Sequence, residues 1–375
     1  MTKKLRIGVI FGGRSGEHEV SIRSARSVIE AIDKTKYDVV PIAITKEGNW
    51  LGPAAAAHLL PKETQRKLST NVLNNKTQDV ALLGDPSRSG LMRLDSREQT
   101  TERLDVIFPV LHGTYGEDGT LQGLLEMASM PFVGCGTLAS ACGMDKVTMK
   151  ALFKEAGLPI CAHTWFRRAE WEADPDKIQR RVGREIGFPS FVKPANLGSS
   201  VGVSKAIDQK SFAGAVDLAA RYDRKIIVEE LVDGREIECA VMGNDEPRAS
   251  LPGEYVIHEE SARFLDYTEK YSSTGNVEFI VPARISKAVI RKIQAMAATA
   301  YKAIDASGLS RVDFFLKKDG ELLVNEINTL PGLTDVSGFP KMWEATGMSF
   351  TRVIDQLIQF ALERHRERAR NETSI

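Results

Sequence analysis

The chain has 375 residues, enough for two or three domains at about 150 residues each. Its 50 Lys and Arg balance 50 Asp and Glu, which argues against a broad nucleic-acid or anionic-membrane surface while leaving room for a local basic cleft. The four cysteines, Cys135, Cys142, Cys161 and Cys239, are scattered without a C-x-x-C pair, so a disulfide framework and a zinc ribbon are both excluded.

In chain order, Leu5, Ile7, Val9 and Phe11 alternate as a strand. This stretch is interrupted by Arg6 and stopped by Gly12-Gly13, too short for a secretion signal. The uncharged stretch from Met127 to Cys142 holds Pro131, Gly134 and Gly136 and reads as strand, turn and helix start rather than a bilayer span. The expected location is the cytoplasm. After the first strand, "GGRSGEHEV" turns the chain into a helix carrying Ile22, Ala25, Val28, Ile29 and Ile32. A second strand is predicted over 37–44. Residues 52–103 read as an insertion with a short helix and a hairpin. A further strand over 104–110 leads through "LHGTYGEDGTLQG" to a helix near 120–129. This β-α-β succession predicts an α/β fold, with an open, largely parallel sheet at the front.

From about residue 141 the pattern changes. Helices are predicted over 144–156 and 170–185, with a strand over 163–167 between them. "FPSFVKP" and "VGVSKA" are separated only by residues 195–200, which implies an antiparallel hairpin because a parallel crossover needs a dozen residues or more. Strands over 225–230, 235–242, 309–317 and 321–327, with helices over 286–305 and 349–368, complete an α+β back half.

No Gly-Lys dipeptide occurs, so there is no Walker A loop. "GCGTLA" at 134–139 fits a relaxed dinucleotide pattern, but the acidic residue that should hold a ribose is Glu155, inside a predicted helix. A turn that opens a helix is the preferred reading there. The loop at 195–200 is the better phosphate candidate: Gly198, Ser199 and Ser200 offer N–H groups and hydroxyls, and Lys193 precedes them. The bland alternative is a plain turn, and for Lys146, after "GMD", an ordinary surface lysine.

The strongest signal is "LSRVDFFLKKDGELLVNEIN" at 309–328, two alternating strands joined at Asp319-Gly320. A two-residue turn there sets Lys318 opposite Glu321, Asp313 opposite Glu326 and Arg311 opposite Asn328, and Arg311, Asp313, Glu326 and Asn328 then share one face. Facing carboxylates repel, and a hard divalent cation removes that penalty. Mg²⁺ commonly keeps phosphate oxygens in its shell, so a nucleotide is expected beside it. A solvated acidic face neutralised by Arg311 is the alternative, disfavoured because the neighbours Val312, Phe314, Leu323 and Val324 belong to buried strands. "NTLPGLTDVSG" follows, with Gly332 and Ser337 able to meet a carboxylate, or else serving as a connector. Residues 259–275, charged and aperiodic, have the composition of a loop that closes over a site.

Together these segments resemble the ATP-grasp ligases, and within them the D-alanine–D-alanine ligase family, from "VIFGGRSGEHEVS" to "GMSF" near residue 350. The ordered series "GGRSGEHEVS", "LHGTYGEDGTLQG", "MDK", "VKPANLGSSVGVSK", "EKY", "RVDFF" and "NEINTLPGLT" carries the resemblance. It implies a substrate-binding α/β domain over 1–141 and two ATP-grasp lobes over 142–230 and 231–375, the last with the metal site. It implies that Glu17 holds the ammonium of a first D-alanine and that His112 lies near its carboxylate. Lys146, Lys193, Ser199 and Ser200 would bind ATP phosphates, Glu229 and Glu236 the adenine and ribose, with Val232 contributing backbone. Lys270 and Tyr271 would belong to the lid, Tyr271 joining Glu17 and Ser199 in a hydrogen-bonded triad. Asp313, Glu326 and Asn328 would hold Mg²⁺ or Mn²⁺, two ions in all. Arg311 and the Gly332 N–H would stabilise an oxyanion, and Ser337 would take the second substrate's carboxylate. Gly338 departs from the pattern, since members often carry a larger apolar residue there. The family further suggests a homodimer. Two alternatives stand beside this reading: a D-alanine–D-lactate ligase, against which Tyr271 counts, and a non-catalytic ATP-binding regulator.

Overall fold

The structure, a computed structural model, describes residues 3–74, 79–88, 90–94, 101–257 and 277–372. The alternating strand Leu5–Gly12 pairs in parallel with Tyr37–Ile44 on one side and Val106–Pro109 on the other, and Trp50–Leu51 adds an antiparallel edge. The strands are apolar on both faces because both are covered, as parallel sheets require. One face packs on the helix His18–Ala31 and on the last helix, Phe350–Arg368; Ile7, Val9, Val28 and Ile29 share a buried core with Val353, Ile354, Leu357 and Ile358. The insertion contains short helices and a small antiparallel sheet of Val80–Leu82, Leu91–Arg93 and Thr101–Glu102, whose Val80, Leu82 and Leu91 pack against Ile42 and Leu121.

A second sheet runs in the order Ser204–Ala206, Ser190–Pro194, Lys225–Glu230, His163–Arg167, all antiparallel. The expected tight hairpin is there, with Ser204 opposite Val192 and Ala206 opposite Ser190. The helix expected over 170–185 is instead two, Arg168–Ala173 and Pro175–Glu185. Pro175 has no N–H to continue the first helix, and the Asp174 side chain accepts from the N–H of Lys177, so a new N-terminus forms.

The largest sheet has six strands and is antiparallel, with Gly234–Gly243 and Gly308–Lys317 at its centre and Leu322–Asn328 beside the latter. Met149 and Phe153 of the helix Lys146–Glu155, with Ile293 and Ala297 of Lys287–Ala303, pack on Val312, Phe314 and Val324.

The turn at the tip of this hairpin is not the expected two-residue one. Lys317 pairs with Glu321, its N–H donating to the Glu321 carbonyl at 2.9 Å, which leaves a three-residue loop Lys318-Asp319-Gly320. Gly320 takes φ +88°, the left-handed conformation that closes such loops. That shifts the register by one, so Phe314 faces Val324 and Leu316 faces Leu322. A bulge then inserts Asn325 as an extra residue and shifts the register back. Asp313 faces Glu326 and Arg311 faces Asn328 as expected, but through two offsets that cancel. Among the described residues no helix is long and apolar enough to cross a membrane.

Candidate active site

Glu17 stands at the N-terminus of His18–Ala31, where the first strand ends in the Gly12-Gly13 turn. A Cβ on Gly12 would lie 2.3 Å from the Ile44 carbonyl oxygen, and its φ of +91° also demands glycine. The Glu17 side chain makes no cap bond to its own helix; it accepts a hydrogen bond from the Ser199 hydroxyl in the loop that follows Lys193. Ser199 and Ser200 both have left-handed backbone, with φ of 54° and 57°. Asp223 ties this loop down by accepting from the Asn196 N–H and side-chain amide.

His112 is buried close by, its Nε2 3.2 Å from the Ser24 hydroxyl and its Nδ1 3.2 Å from the Leu330 carbonyl. Burial, only partly offset by Glu17, lowers its pKa and keeps the ring neutral. The bond to Leu330 brings the "LHGTYGEDG" loop against the segment that carries Gly332.

A cleft of about 1200 Å³ opens between the two antiparallel sheets, lined by Lys146, Lys193, Ser199 and Ser200 from one side and Glu236, Phe315, Asn325 and Glu326 from the other. Val232 and Glu229 also line it. Lys146 begins its helix, whose Asp145 cap accepts from Val147 and Thr148 N–H groups. The Lys146 ammonium donates to the Leu197 carbonyl at 2.6 Å and lies 3.7 Å from Glu326 Oε2, so it sits between the serine loop and the hairpin. Lys193 donates to Glu229 at 2.6 Å. Glu229 is not simply an open acceptor for a base: its other oxygen is 3.0 Å from the Lys150 ammonium. Burial would raise its pKa, but the two lysines outweigh burial and hold the carboxyl far below the usual carboxylate range.

On the hairpin, Arg311 donates through Nε and Nη2 to the two oxygens of Asp313 at 2.7 and 2.6 Å, and its Nε lies 3.4 Å from Glu238 Oε1. The neutralisation weighed as the alternative at the sequence level is therefore real for Asp313. Among the described residues no cluster of three or more His, Cys, Asp or Glu is placed to hold a metal. The donor set instead mixes two carboxylates, Asp313 and Glu326, with the Asn328 amide, whose Oδ1 accepts from the Leu330 N–H at 2.9 Å. Few hard oxygen donors beside a cleft lined by Lys146 and Lys193 fit a Mg²⁺ or Mn²⁺ ion that completes its shell with phosphate oxygens and water.

Gly332 lies half-buried in the loop after Asn328. The buried Ser337 hydroxyl accepts from the Thr334 N–H at 3.1 Å and lies 2.6 Å from the Thr334 hydroxyl, at the N-terminus of the helix Gly338–Ala345. A helix N-terminus favours a carboxylate. The departure at Gly338 has a physical cause: a Cβ there would lie 2.8 Å from Glu238 Oε2 and 2.9 Å from the Phe279 ring, which already fills that space. Lys270 and Tyr271 lie outside the described residues.

Two residues of the site escaped the sequence reading. Glu117 stood inside the quoted "LHGTYGEDG" run without a role. It is buried, its Oε1 accepts from the Gly113 N–H at 3.0 Å, and Gly198 brings it near Glu17: a Cβ on Gly198 would be 3.6 Å from Glu117 Oε1 and 3.8 Å from Glu17 Oε2. Burial and then the charge of Glu17 push its pKa well above the usual carboxylate range. Lys150 was missed as well, although it follows Lys146 by four positions and so shares a helix face with it.

Two antiparallel sheets enclosing a lysine-lined cleft, beside an α/β front sheet, define an ATP-grasp ligase. The comparisons with known proteins narrow this. Residues 6–135 match the family model for the D-ala D-ala ligase N-terminus and residues 152–359 that for its C-terminus. A D-alanine–D-alanine ligase of Natranaerobius thermophilus is 44% identical over 374 residues, covering 100% of this chain and 99% of that protein. One of Halothermothrix orenii is 47% identical over 360 residues, covering 96% and 99%. Among solved structures, the VanG D-Ala:D-Ser ligase from Enterococcus faecalis superposes with a TM-score of 0.82 at 37% identity, covering 96% of this chain and 100% of that one. The D-alanine–D-alanine ligase from Coxiella burnetii also gives 0.82, at 35% identity, covering 98% and 96%. The chain belongs to the D-alanine–D-alanine ligase family. It is an enzyme, so the reading as a non-catalytic regulator falls away.

Proposed function

We propose that the chain joins two D-alanines to D-alanyl-D-alanine at the expense of ATP, supplying a precursor of peptidoglycan in the cytoplasm, and that it works as a homodimer. The observation that carries this reading is the link between cleft and front sheet: Ser199, which lines the cleft with Lys146 and Lys193, donates to Glu17, and the charge of Glu17 is felt by the buried His112. An amino-acid ammonium suits Glu17, and a polyphosphate suits the lysines and the serine loop.

A carboxylate does not react with an amine, so it must first be activated. Its oxygen attacks the γ-phosphorus of ATP, ADP leaves, and an acyl phosphate forms. Lys146 and Lys193 offset the charge on the phosphate oxygens, and Ser199 and Ser200 offer hydroxyl and backbone donors. Glu236 and Val232 also line the cleft, and ribose and adenine are assigned to them, Val232 contributing its backbone. Mg²⁺ or Mn²⁺, two ions when bound, would be held by Asp313, Glu326 and Asn328 and would supply charge neutralisation at the phosphates. The amine of a second D-alanine, its carboxylate at Ser337 and the adjoining helix N-terminus, then attacks the carbonyl carbon. Arg311 and the Gly332 N–H stabilise the oxyanion, phosphate departs, and the amine loses a proton. Lys270 and Tyr271 belong to the segment that would exclude water from the acyl phosphate.

The test is phosphate release and peptide formation with ATP and Mg²⁺ across D- and L-amino acids. D-Alanine alone should support both. Peptide formed from L-alanine, or phosphate released without peptide, would sink the proposal.

A further inference from the structure

Lys150 has no part in the chemistry above, yet its side chain is only 1% exposed and it links segments that lie far apart in sequence. It projects from the helix Lys146–Glu155 one turn beyond Lys146. Its ammonium lies 3.0 Å from Glu229 Oε1, donates to the Asn325 carbonyl at 3.1 Å and to Cys161 Sγ at 3.5 Å. Three acceptors match its three N–H groups. Burial disfavours the charged form, but Glu229 outweighs it and the pKa is raised, so the lysine stays charged.

The Asn325 carbonyl is the important contact. Asn325 is the extra residue of the bulge, and the residue after it is Glu326. Without the bulge, the register set by the three-residue turn would continue, placing Asn325 opposite Asp313 and Glu326 opposite Val312. A one-residue slip of this kind turns every side chain to the other face. Glu326 and Asn328 would leave the Asp313 side and point into the core that holds Val312. An apolar residue could fill the space of Lys150, whose helix neighbours Met149 and Phe153 are fully buried. It could not hold that carbonyl.

We propose that Lys150 is a positioning residue that locks the bulge at Asn325, keeping Glu326 and Asn328 turned toward the metal, while the same ammonium fixes Glu229 and through it Lys193 in the nucleotide cleft. This inference rests on the nucleotide and metal reading of the site given above. It makes one buried charge responsible for the relative placement of two parts of the site carried on different sheets.

The test uses the full chain as wild type, Lys150→Met, Glu229→Gln and the double variant, each first confirmed as folded by a cooperative thermal transition. Mn²⁺ binding in the presence of ADP is measured by electron paramagnetic resonance, and D-alanine binding by calorimetry. In Lys150→Met the Mn²⁺ affinity should fall by about 10–100-fold, the range seen when a partner supporting a metal's ligands is lost. D-Alanine binding, which depends on the Glu17 corner, should be unchanged. Should the uncompensated Glu229 keep the single variant from folding, the double variant should bind Mn²⁺ more weakly than Glu229→Gln by a similar factor, since only the double releases the Asn325 carbonyl. The proposal is overturned by Mn²⁺ affinity of Lys150→Met equal to wild type, or by a double variant no worse than Glu229→Gln. Equal loss of Mn²⁺ and D-alanine binding would overturn it too. Wild type that binds D-alanine but not Mn²⁺ with ADP would overturn the nucleotide reading itself.

Discussion

The hydroxyl of Ser199 donates to the carboxylate of Glu17, joining residues 182 positions apart in the chain. One stands at the N-terminus of the helix His18–Ala31, the other in the loop between the strands Ser190–Pro194 and Ser204–Ala206 of the second sheet. The bond ties a group suited to an amino-acid ammonium to a loop suited to phosphate.

Replacing Glu17 with Gln keeps the shape and removes the counter-charge. A hydrogen bond to a charged group contributes about 1.5–3 kcal/mol, so D-alanine binding should weaken by roughly ten- to a hundredfold. ATP binding should change far less. Titration calorimetry with each ligand separately decides the matter, and equal losses for both would assign Glu17 a structural role.

Asp313 faces Glu326, which at first suggests that Glu326→Gln should stabilise the fold by relieving repulsion. The structure tempers that expectation. Arg311 pairs with Asp313, and the Lys146 ammonium is 3.7 Å from Glu326, so both carboxylates already have a cation near them. The variant's melting temperature should therefore stay close to wild type. Its Mg²⁺ requirement should rise by at least about tenfold, since even partners outside a metal's own ligands commonly cost that much. An unchanged Mg²⁺ dependence of turnover would remove Glu326 from the metal site.

Glu117 predicts a pH dependence of stability. Its folded-state pKa is raised by burial and by Glu17, so between the ordinary carboxylate pKa and the raised one the folded state binds more protons than the unfolded. Stability contributed through this group is full below the unfolded pKa and falls as pH rises toward the folded one. Glu117→Gln mimics the protonated carboxyl and keeps an oxygen for the Gly113 N–H. Melting curves from pH 5 to pH 8 should show the variant gaining on wild type as pH rises. Parallel curves would show that Glu117 is not proton-bearing in the fold.

Gly338→Leu, a change toward the commoner family pattern, should destabilise this protein. The new side chain meets the Glu238 carboxylate and the Phe279 ring, and such overpacking costs about 1–3 kcal/mol. Adding Phe279→Ala should recover part of the loss. Denaturant titration of the single and double variants measures both effects, and an unaffected single variant would mean that Phe279 moves aside freely.

The hairpin at 308–328 shows how local inference can reach the right residues by the wrong path. Alternation identified both strands, and Asp-Gly identified their turn. The loop length and the bulge were each misjudged by one, in opposite senses. Neither was legible locally, because Asp-Gly suits two- and three-residue loops alike and because the partner at the bulge, Lys150, comes from another element. The split of the predicted 170–185 helix was, by contrast, readable from Asp174-Pro175.

From the sequence alone came the strands and helix of the front sheet, the tight hairpin around 195–200, the acidic hairpin and the series of motifs that carries the family resemblance, whereas the helices Gln209–Ala220 and Gly338–Ala345 and the strands Gly253–Ile257 and Val277–Ile280 did not. The former depend on periodicity, turn chemistry and residue type, which act over a few neighbours. Only the tertiary structure decided that Glu229 lies between Lys150 and Lys193, that Glu117 shares a corner with Glu17, that Phe279 takes the room beside Gly338 and that the last helix covers the first sheet. Each of these is a contact between elements far apart in the chain. Burial and opposing charge are properties of what surrounds a group in space, and a buried glutamate has its pKa held down beside two lysines or pushed up beside another carboxylate according to which neighbours the fold delivers.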